Sequence, residues 1–151
     1  MDYEKEIQQL KSTIANYELV IHELSAPIIP SIMENTILVP IAGPLNPTRL
    51  DSVRAKVLGY FGDHREMNCV VFDFTGVESN DLAQMDFSIL SSEISQLNAT
   101  LKLMGIRPIY VGFNPQLVQE IVQAGVHVEI ETYVNFKTSL TVLFNSNGIS
   151  F

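Results

Sequence analysis

The sequence contains no tryptophan and one cysteine, and it has few basic residues: nine lysines and arginines stand against seventeen aspartates and glutamates, for a formal net charge of −8. Cys69 has no second cysteine with which to form an internal disulfide. Its place in the apolar segment CVVFDF predicts a buried, unreactive thiol. The excess of negative charge argues against a nucleic-acid partner, because binding to a phosphate backbone depends on lysine and arginine.

Long hydrophobic runs are also missing. No apolar run approaches the roughly 20 residues that a membrane-spanning helix needs. The N-terminal segment MDYEKEIQQL is polar where a signal peptide would have its hydrophobic region. The sequence therefore predicts no membrane segment and a cytoplasmic location.

The sequence shows no common signature of catalysis or metal binding. The three histidines, His22, His64 and His127, lie in different segments and form no metal-ligand spacing. No GxSxG, Walker or GxGxxG sequence occurs. Asp73 and Asp81 are a carboxylate pair available for acid–base chemistry, but neither a nucleophile nor a metal-ligand set accompanies them. We predict that the protein is not an enzyme and that it holds no metal or cofactor.

Residues 1–25 carry a heptad pattern. Apolar side chains recur at alternating spacings of three and four, and no glycine or proline interrupts the pattern before Pro27. An amphipathic helix packed on its own domain is one interpretation. The narrow seam, two positions in seven, favours a coiled coil with a second copy of the chain. The predicted dimer seam consists of Ile7, Leu10, Ile14, Tyr17, Ile21 and Leu24.

From Pro27 onward, apolar runs typical of strands alternate with 3.6-residue periods typical of helices. This alternation predicts an α/β domain over residues 26–146, after a linker helix at 1–25 and before a disordered tail at 147–151. Strands are predicted in SAPIIPSIM and NTILVPIAG, joined by a turn at Glu34 and Asn35, and in residues 67–74, 107–113 and 126–131. The prolines at 30 and 40 suit strand edges or ends, because each lacks a backbone donor. The nearly continuous apolar run at 67–74 predicts a central strand that is covered on both faces.

Helices are predicted at 46–62, from about Asp81 to beyond Leu97, at 114–125 and at 132–144. In the first of them Asn46 is the predicted N-cap, Pro47 occupies the first helical position and Gly62 is the predicted stop.

The order of these elements, with the loop DFTG after the third strand, resembles that of STAS domains, the sulphate-transporter and anti-sigma-factor-antagonist family. The resemblance covers residues 25–145. The segments LSAPIIP, PIAGPLNPTR, VVFDFTGVESND and GFNPQLVQEIVQAGV look like the C-terminal domain of RsbR-type stressosome co-antagonists.

This resemblance implies an open, mixed sheet with about four helices. It also implies a non-catalytic role in a stress-response partner-switching pathway, exercised through protein–protein interaction. Members of this subgroup assemble with a STAS scaffold protein and hold a serine/threonine switch kinase. Their STAS domain follows a sensor module and a linking helix, and residues 4–24 occupy the position of that helix.

The family places a phosphorylated serine or threonine in the pattern D-[IL]-[ST]-G-x-x-x-x-D-[ST]. The match covers Asp73, Thr75, Gly76 and Asp81, and it puts Leu82 at the phosphoacceptor. Leucine cannot accept phosphate. Its side chain has two interpretations at this stage: a contact for a partner, or packing at the edge of the sheet. A second family acceptor precedes a glycine in the strand before the third helix, and this sequence has Val111 and Gly112 there.

The stretch DFTGVESNDL is therefore predicted to be an interaction loop, with Asp81 as the helix cap because Gln84 follows at capping-box spacing. Two alternative hypotheses stay open. In the first, the chain is phosphorylated at another hydroxyl such as Thr75 or Ser79. In the second, the crevice beside Gly76 and Asn80 binds a small ligand or nucleotide. The loop residues concerned are Asp73, Thr75, Gly76, Ser79, Asn80, Asp81 and Leu82.

Overall fold

The structure is a computed structural model that describes residues 2–24, 26–83, 85–115, 118–119, 123 and 130–146, except for the side chains of residues 17–24 and of Ser79. Four helices and five strands have defined bounds within these residues. In chain order they are α1 (Tyr3–Leu24), β1 (Ile29–Pro30), β2 (Thr36–Ala42), α2 (Pro47–Asp63), β3 (Cys69–Gly76), α3 (Phe87–Leu103), β4 (Arg107–Val111), β5 (Glu131–Tyr133) and α4 (Phe136–Ser146).

The five strands form one mixed sheet in the order β1-β2-β3-β4-β5. The edge strand β1 runs antiparallel to β2, and all other neighbours are parallel. The predicted open, mixed α/β sheet is therefore confirmed. Because β2 to β5 run in the same direction, the loops that follow them meet at one edge of the sheet, where open α/β folds usually place their functional groups.

The central strand β3 is covered on both faces, as its continuous apolar sequence predicts. Val70 and Phe72 face the layer of α2 and α3, and Val71 faces α4; all three are fully buried. The helices contribute to these two clusters the residues Leu50, Val53, Val57, Phe61, Leu90, Ile94, Leu101 and Leu143.

The two prolines of the first strands lie where a missing N–H is tolerated. Pro30 is in the edge strand β1, as predicted. Pro40 lies inside β2, but the pairing of β2 with β3 shifts register between Pro40 and Ala42, so the ladder is irregular at this point. The predicted turn between the strands is confirmed at Asn35, whose φ of 62° is a left-handed conformation that asparagine tolerates.

The helix after β3 begins later than the sequence predicts. Residues Ser79–Leu82 form a short 3₁₀ turn, and α3 begins at Phe87. Asp86 caps α3 by accepting the backbone N–H of Ser88 at 2.8 Å. The prediction that Asp81 caps this helix is wrong, because its carboxylate instead accepts the backbone N–H of Glu78 at 2.8 Å and stabilises the 3₁₀ turn.

Three other predicted boundaries also move. Helix α2 has its predicted cap, since Asn46 accepts the N–H of Arg49 at 2.8 Å, but it continues past Gly62 to Asp63. Strand β5 spans Glu131–Tyr133 and so continues past the predicted end at 131, and α4 begins at 136 rather than 132. Residues 126–129 of the predicted strand lie outside the described residues. The parallel pairing of β5 with β4 keeps residues 131–133 extended. Most of the predicted helix at 114–125 lies outside the described residues, as does the tail at 147–151.

Helix α1 is continuous from Tyr3 to Leu24, and every side chain from Tyr3 to Asn16 is exposed. The seam residues Ile7, Leu10 and Ile14 are 50%, 62% and 54% exposed. The side chains of Tyr17, Ile21 and Leu24 lie outside the described residues, so dimerisation through this seam stays a prediction. In the described part of the chain, no helix is both long and apolar enough to cross a membrane.

Candidate functional site

The candidate site is the strand-end edge, defined as the carboxyl ends of β2 to β5 with the loops that follow them. Backbone hydrogen bonds hold these loops together. The N–H of Leu45 donates to the carbonyl of Asp81 at 2.8 Å, and the N–H of Gly43 donates to the carbonyl of Gly76 at 3.4 Å. The loops after β2 and β3 are therefore fixed to each other by their main chains.

Asp73 and Thr75 form a local turn at the end of β3. The Asp73 carboxylate accepts the backbone N–H of Thr75 at 2.9 Å and its hydroxyl at 2.5 Å. This is an Asx-type arrangement, in which an aspartate side chain satisfies backbone donors two residues on. The Thr75 side chain is exposed but already has a hydrogen-bond partner.

Gly112, which follows β4, packs directly against Thr75. Its φ is 82°, a conformation that disfavours other residues, and a Cβ at this position would lie only 2.5 Å from the backbone nitrogen of Thr75. The Gly112 N–H donates to the carbonyl of Val134 at 3.2 Å. The structure thus brings together two segments that the sequence resemblance singles out separately, the DFTG loop and the Val111–Gly112 position.

Gly76 serves a similar close approach on the other side of β3. An added Cβ would lie 2.7 Å from the Cβ of Ala42, so a larger residue would push β2 and β3 apart. The glycine that follows Thr75 is therefore required by the packing of the strands.

Asp81 is held within the loop rather than presented as a free carboxylate. Besides its bond to Glu78, its charge acts on Arg49, whose guanidinium donates to the carbonyl of Pro44 at 2.8 Å. Burial lowers the pKa of Arg49, and the negative charge of Asp81 opposes that shift. Asn80 is exposed beside it, while the side chain of Ser79 lies outside the described residues.

Leu82 packs into the core. It is 6% exposed and belongs to the same cluster as Leu45, Val77, Met85 and Leu90. Of the two interpretations left open by the sequence, packing is therefore the observed one. Val111, which the sequence resemblance aligns with the second acceptor, is fully buried in β4. Both positions are inaccessible as well as lacking a hydroxyl.

The exposed part of this edge is acidic. Residues 73–86 contain four carboxylates and no lysine or arginine, namely Asp73, Glu78, Asp81 and Asp86. Glu78 and Asp86 are exposed, and Asp73 and Asp81 are partly buried. A partner surface that contacts this edge needs basic groups to complement it.

Val134 is a surface residue that the sequence reasoning missed. It is 80% exposed, and its carbonyl accepts the N–H of Gly112. The signal available in the sequence was an apolar residue just before Asn135, which accepts the N–H of Thr138 at 2.8 Å and so marks the start of α4. Val134 lies between Tyr133, the last residue of β5, and Asn135, the cap of α4, and this short connection leaves its side chain at the surface.

Two cavities lie elsewhere in the described structure. A cleft of about 570 Å³ lies at the strand-start edge, defined as the amino ends of β2 to β4, and its lining includes Thr36, Cys69 and Arg107. An internal cavity of about 20 Å³ lies between the sheet and helices α2 and α3. Cys69 is 4% exposed, and burial raises its pKa to about 11, in agreement with the predicted unreactive thiol. The described residues form no His, Cys, Asp or Glu cluster that could hold a metal ion.

Comparison with known proteins gives a consistent result. The RsbT co-antagonist protein RsbRA of Bacillus subtilis (strain 168) is 28% identical over 116 residues, which are 77% of this chain and 39% of that protein. The chain thus spans about two fifths of the length of this curated relative. No family model matches the sequence.

Three solved structures share the fold. RsbS of Moorella thermoacetica, in a variant form, aligns with a TM-score of 0.64 at 16% identity over 82% of this chain and 98% of that one. A chain of the stressosome, from a structure of the molecular architecture of this signal integration and transduction hub, aligns with a TM-score of 0.61 at 17% identity. The alignment covers 80% of this chain and 98% of that one. The anti-sigma factor antagonist SpoIIAA in its unphosphorylated form aligns with a TM-score of 0.57 at 13% identity, over 83% of this chain and 99% of that one.

At these identities the structural matches establish the fold alone. The fold is that of STAS proteins, and in sequence the chain is similar to an RsbR-type co-antagonist.

Proposed function

We propose that this domain is a non-catalytic regulatory and scaffold module of a cytoplasmic stress-response pathway, of the stressosome and anti-sigma-antagonist kind. It acts by protein–protein interaction, with a STAS scaffold protein and a serine/threonine switch kinase as partners. The observation that carries this proposal is Leu82, which lies at the family's phosphoacceptor position and is only 6% exposed. The names of the sequence relative and of the stressosome match support the choice of pathway.

The chemistry of the loop explains what this replacement does. A phosphate adds about −1.5 to −2 charges and strong acceptor oxygens to the surface that carries it. A strand-end edge that is already acidic would then repel an acidic partner and attract a basic one more strongly. With Leu82 in the core, position 82 cannot make this change, so the edge keeps one charge state at that position.

The same proposal includes a homodimer through α1. The exposed apolar residues Ile7, Leu10 and Ile14 support it, because a helix that keeps its apolar stripe in water gains little from the folding of its own domain. Two copies of the chain that pair along this stripe would remove it from water.

Co-purification with a scaffold STAS protein and a switch kinase from the same genome tests the interaction surface. Asn80→Lys places a cation in the centre of the acidic loop, and we expect it to reduce binding. Asn145→Lys is the matched control, because Asn145 is also exposed but lies in the last turn of α4, whose Leu143 and Phe144 line the strand-start cleft. Equal binding by both variants would show that the strand-end edge is not the contact surface.

Phosphorylation at Thr75 is the one alternative that an observation favours, because its side chain is exposed. The bond to Asp73 opposes it, since the hydroxyl must leave the carboxylate before it can attack a phosphate donor. Incubation with the switch kinase and ATP, followed by intact-mass spectrometry, separates the two functions. We expect an unmodified chain; a phosphate that disappears in Thr75→Ala would establish the switched function instead.

A further inference from the structure

We propose that residues 147–151, with the sequence NGISF, bind in the strand-start cleft of their own domain. Ile149 contacts the apolar part of the cleft beside α4, and Phe151 covers Ile32. These five residues lie outside the described part of the chain, and their local composition predicts a disordered tail. The cleft beside the end of α4 is a tertiary feature that local composition does not contain. This contact is independent of the proposed function, because the acidic loops lie at the other ends of the strands.

The strand-start cleft has the size of a binding site and an uncovered apolar surface. Its volume of about 570 Å³ lies within the range of roughly 300–1,000 Å³ that ligand sites occupy. Met33, Leu143 and Phe144 line it and belong to one apolar cluster. Ile32 lines it as well, and its side chain is 76% exposed. An apolar occupant that covered Ile32 would therefore be stabilised by removing this surface from water.

The polar groups of the cleft suit an uncharged peptide segment. Asn35 and Asn68 line it with exposed amide side chains, which can donate and accept hydrogen bonds as a peptide group does. Glu131 accepts from Nε and Nη2 of Arg107, at 2.7 and 2.6 Å, so the guanidinium charge is balanced within the protein. Glu34 adds an exposed carboxylate to the lining, which disfavours an anionic occupant. The segment NGISF carries no ionisable side chain.

Helix α4 ends beside the cleft. It ends at Ser146, and its last turn contributes Leu143 and Phe144 to the lining. The two residues that follow are Asn147 and Gly148. With Ser146 as the last helical residue, the glycine occupies the C′ position, where a left-handed conformation ends many helices and reverses the chain. We therefore expect the segment beyond Gly148 to turn back toward the cleft.

The residue after this glycine is suited to contact the cleft. In the Schellman motif that a C′ glycine forms, the residue at C″ frequently packs on the side chain at C3 or C4. Here C″ is Ile149, whereas C3 and C4 are Phe144 and Leu143, which both line the cleft. Side chains two residues apart in an extended segment share a face. Phe151 therefore lies on the same side as Ile149 and can pack on Ile32.

The length of the segment and its attachment to α4 both favour the bound state. Five extended residues span about 17 Å, at about 3.3–3.6 Å per residue. A cube with the volume of the cleft has an edge of about 8 Å, so the segment is long enough to cross it. A short linker gives an effective concentration in the millimolar range. A contact whose dissociation constant is about 0.1 mM for the free peptide would then be occupied in about nine tenths of the molecules.

Occupation of the cleft has a consequence for partner binding. The segment covers Ile32 and the polar groups of the strand-start cleft, so a partner must displace it before it can bind there. The acidic loops of the strand-end edge are unaffected. The domain then offers its strand-end edge to a partner while its own chain protects the cleft at the opposite edge.

Methyl NMR of the full chain tests the contact. The double substitution Ile149→Ser and Phe151→Ser removes both apolar side chains and leaves residues 2–146 unchanged. We expect the methyl resonances of Ile32 and Met33 to shift, because both lose the contact with the tail and its aromatic ring. The methyl resonances of Val134, at the strand-end edge, provide the control and should stay in place. If the resonances of Ile32 and Met33 do not respond to the double substitution, the proposal is overturned.

Disulfide formation identifies which chain supplies the segment. Cys69 is buried and unreactive, so introduced thiols report alone. Ile32→Cys with Phe151→Cys places two thiols at the proposed contact, and we expect an intramolecular disulfide under mild oxidation. Leu103→Cys with Phe151→Cys is the matched control, because Leu103 is 89% exposed but does not line the cleft.

The rates of the two reactions decide the outcome. A segment held in the cleft should form the disulfide with position 32 about tenfold faster than the disulfide with position 103. Equal rates would mean that the segment has no preferred site and would overturn the proposal. A disulfide that joins two chains on a non-reducing gel would also overturn it, because the cleft would then be occupied by the segment of a second copy.

Discussion

The loops of the strand-end edge and the side chains along strands β4 and β5 are stabilised in different ways. At the strand-end edge, backbone hydrogen bonds and close glycine contacts fix the loops, and the exposed carboxylates Glu78 and Asp86 point to no described salt-bridge partner. Along β4 and β5, by contrast, side chains bond to one another. Arg107 donates two hydrogen bonds to Glu131, at 2.7 and 2.6 Å, and the Tyr133 hydroxyl donates a third at 2.6 Å.

This difference separates a contact surface from a structural one. A surface whose shape comes largely from main-chain contacts can exchange exposed side chains such as Asn80 and keep its form. A surface whose side chains are bonded to each other loses stability when any one of them changes. Mutations of exposed side chains in the strand-end loops should therefore alter binding, and mutations in the β4–β5 network should alter folding.

Unlike changes of exposed side chains at the strand-end edge, Leu82→Ser should alter folding, and we expect it to have the largest effect on stability of the substitutions discussed. The change removes a buried apolar side chain and adds a hydroxyl in the core, and we expect it to lower the free energy of unfolding by about 3 kcal/mol. Urea denaturation measures this loss. Restoring the family's serine should not restore phosphorylation unless it unfolds the loop; a stable variant that the switch kinase modifies would contradict the burial of position 82.

Gly112→Ala tests whether close backbone contacts hold the strand-end edge. The new methyl group would collide with Thr75 at a left-handed φ, and we expect a loss of about 2 kcal/mol. Gly59→Ala is the matched control, since Gly59 lies in α2 with no atom within 4 Å of the added Cβ. That substitution should raise stability by about 0.5–1 kcal/mol through helix propensity. Thermal unfolding of the two variants gives the comparison.

Glu131→Gln tests the side-chain network. Burial alone would raise the pKa of Glu131, but the hydrogen bonds from Arg107 and Tyr133 outweigh it and leave the pKa below its ordinary value. The carboxylate therefore stabilises the fold above the unfolded pKa of about 4.3, and this contribution is lost as the pH falls through the lower, folded pKa. We expect Glu131→Gln to lower stability by about 1 kcal/mol at neutral pH and by less in acid.

Melting temperatures of the unmodified chain and of Glu131→Gln, measured at pH about 7 and pH about 3, give the pH dependence. Glu66→Gln, at an exposed position in the turn after α2, should melt like the unmodified chain at both values. A difference between Glu131→Gln and the unmodified chain that grows in acid would show that the network does not depress the pKa of Glu131.

Val134→Ala should have the smallest effect on folding and a clear effect on binding. Because Val134 is 80% exposed, we expect a stability change within about 0.5 kcal/mol. Loss of an apolar side chain beside Gly112 should weaken co-purification with the scaffold protein. Leu103→Ala is the matched control, since Leu103 is 89% exposed at the end of α3 that leads into β4. Equal binding by the two variants would remove Val134 from the contact surface.

Much of the fold was predictable because the local signals agree with the tertiary structure. The apolar run of β3 predicted a strand that is covered on both faces, and Asn46 with Pro47 predicted the start of α2. The start of α3 was not predictable, because Asp81 and Asp86 both precede helical periodicity and carry similar capping signals. Only the bond from Asp81 to Glu78 assigns the first of these residues to a separate turn.

The sequence predicted where the candidate site lies along the chain, but not which of its side chains are exposed. The spacing of Asp73, Thr75 and Gly76 located the loop, but the burial of Leu82 depends on Leu45, which reaches the same cluster from the loop after β2. Because Leu45 and Leu82 are far apart in the sequence, no local pattern predicts that they share a buried cluster. The approach of Gly112 to Thr75 depends in the same way on the parallel pairing of β3 with β4.

The burial of Leu82 also bears on how this protein can evolve. A single substitution that introduced a hydroxyl at position 82 would reduce stability before it provided any regulation, since this position is buried in the same cluster as Leu45 and Met85. A viable path to a phosphorylated descendant therefore begins with changes that loosen or rebuild the loop after β2. The packing of Leu82 in this sense sets the order in which such mutations must arrive.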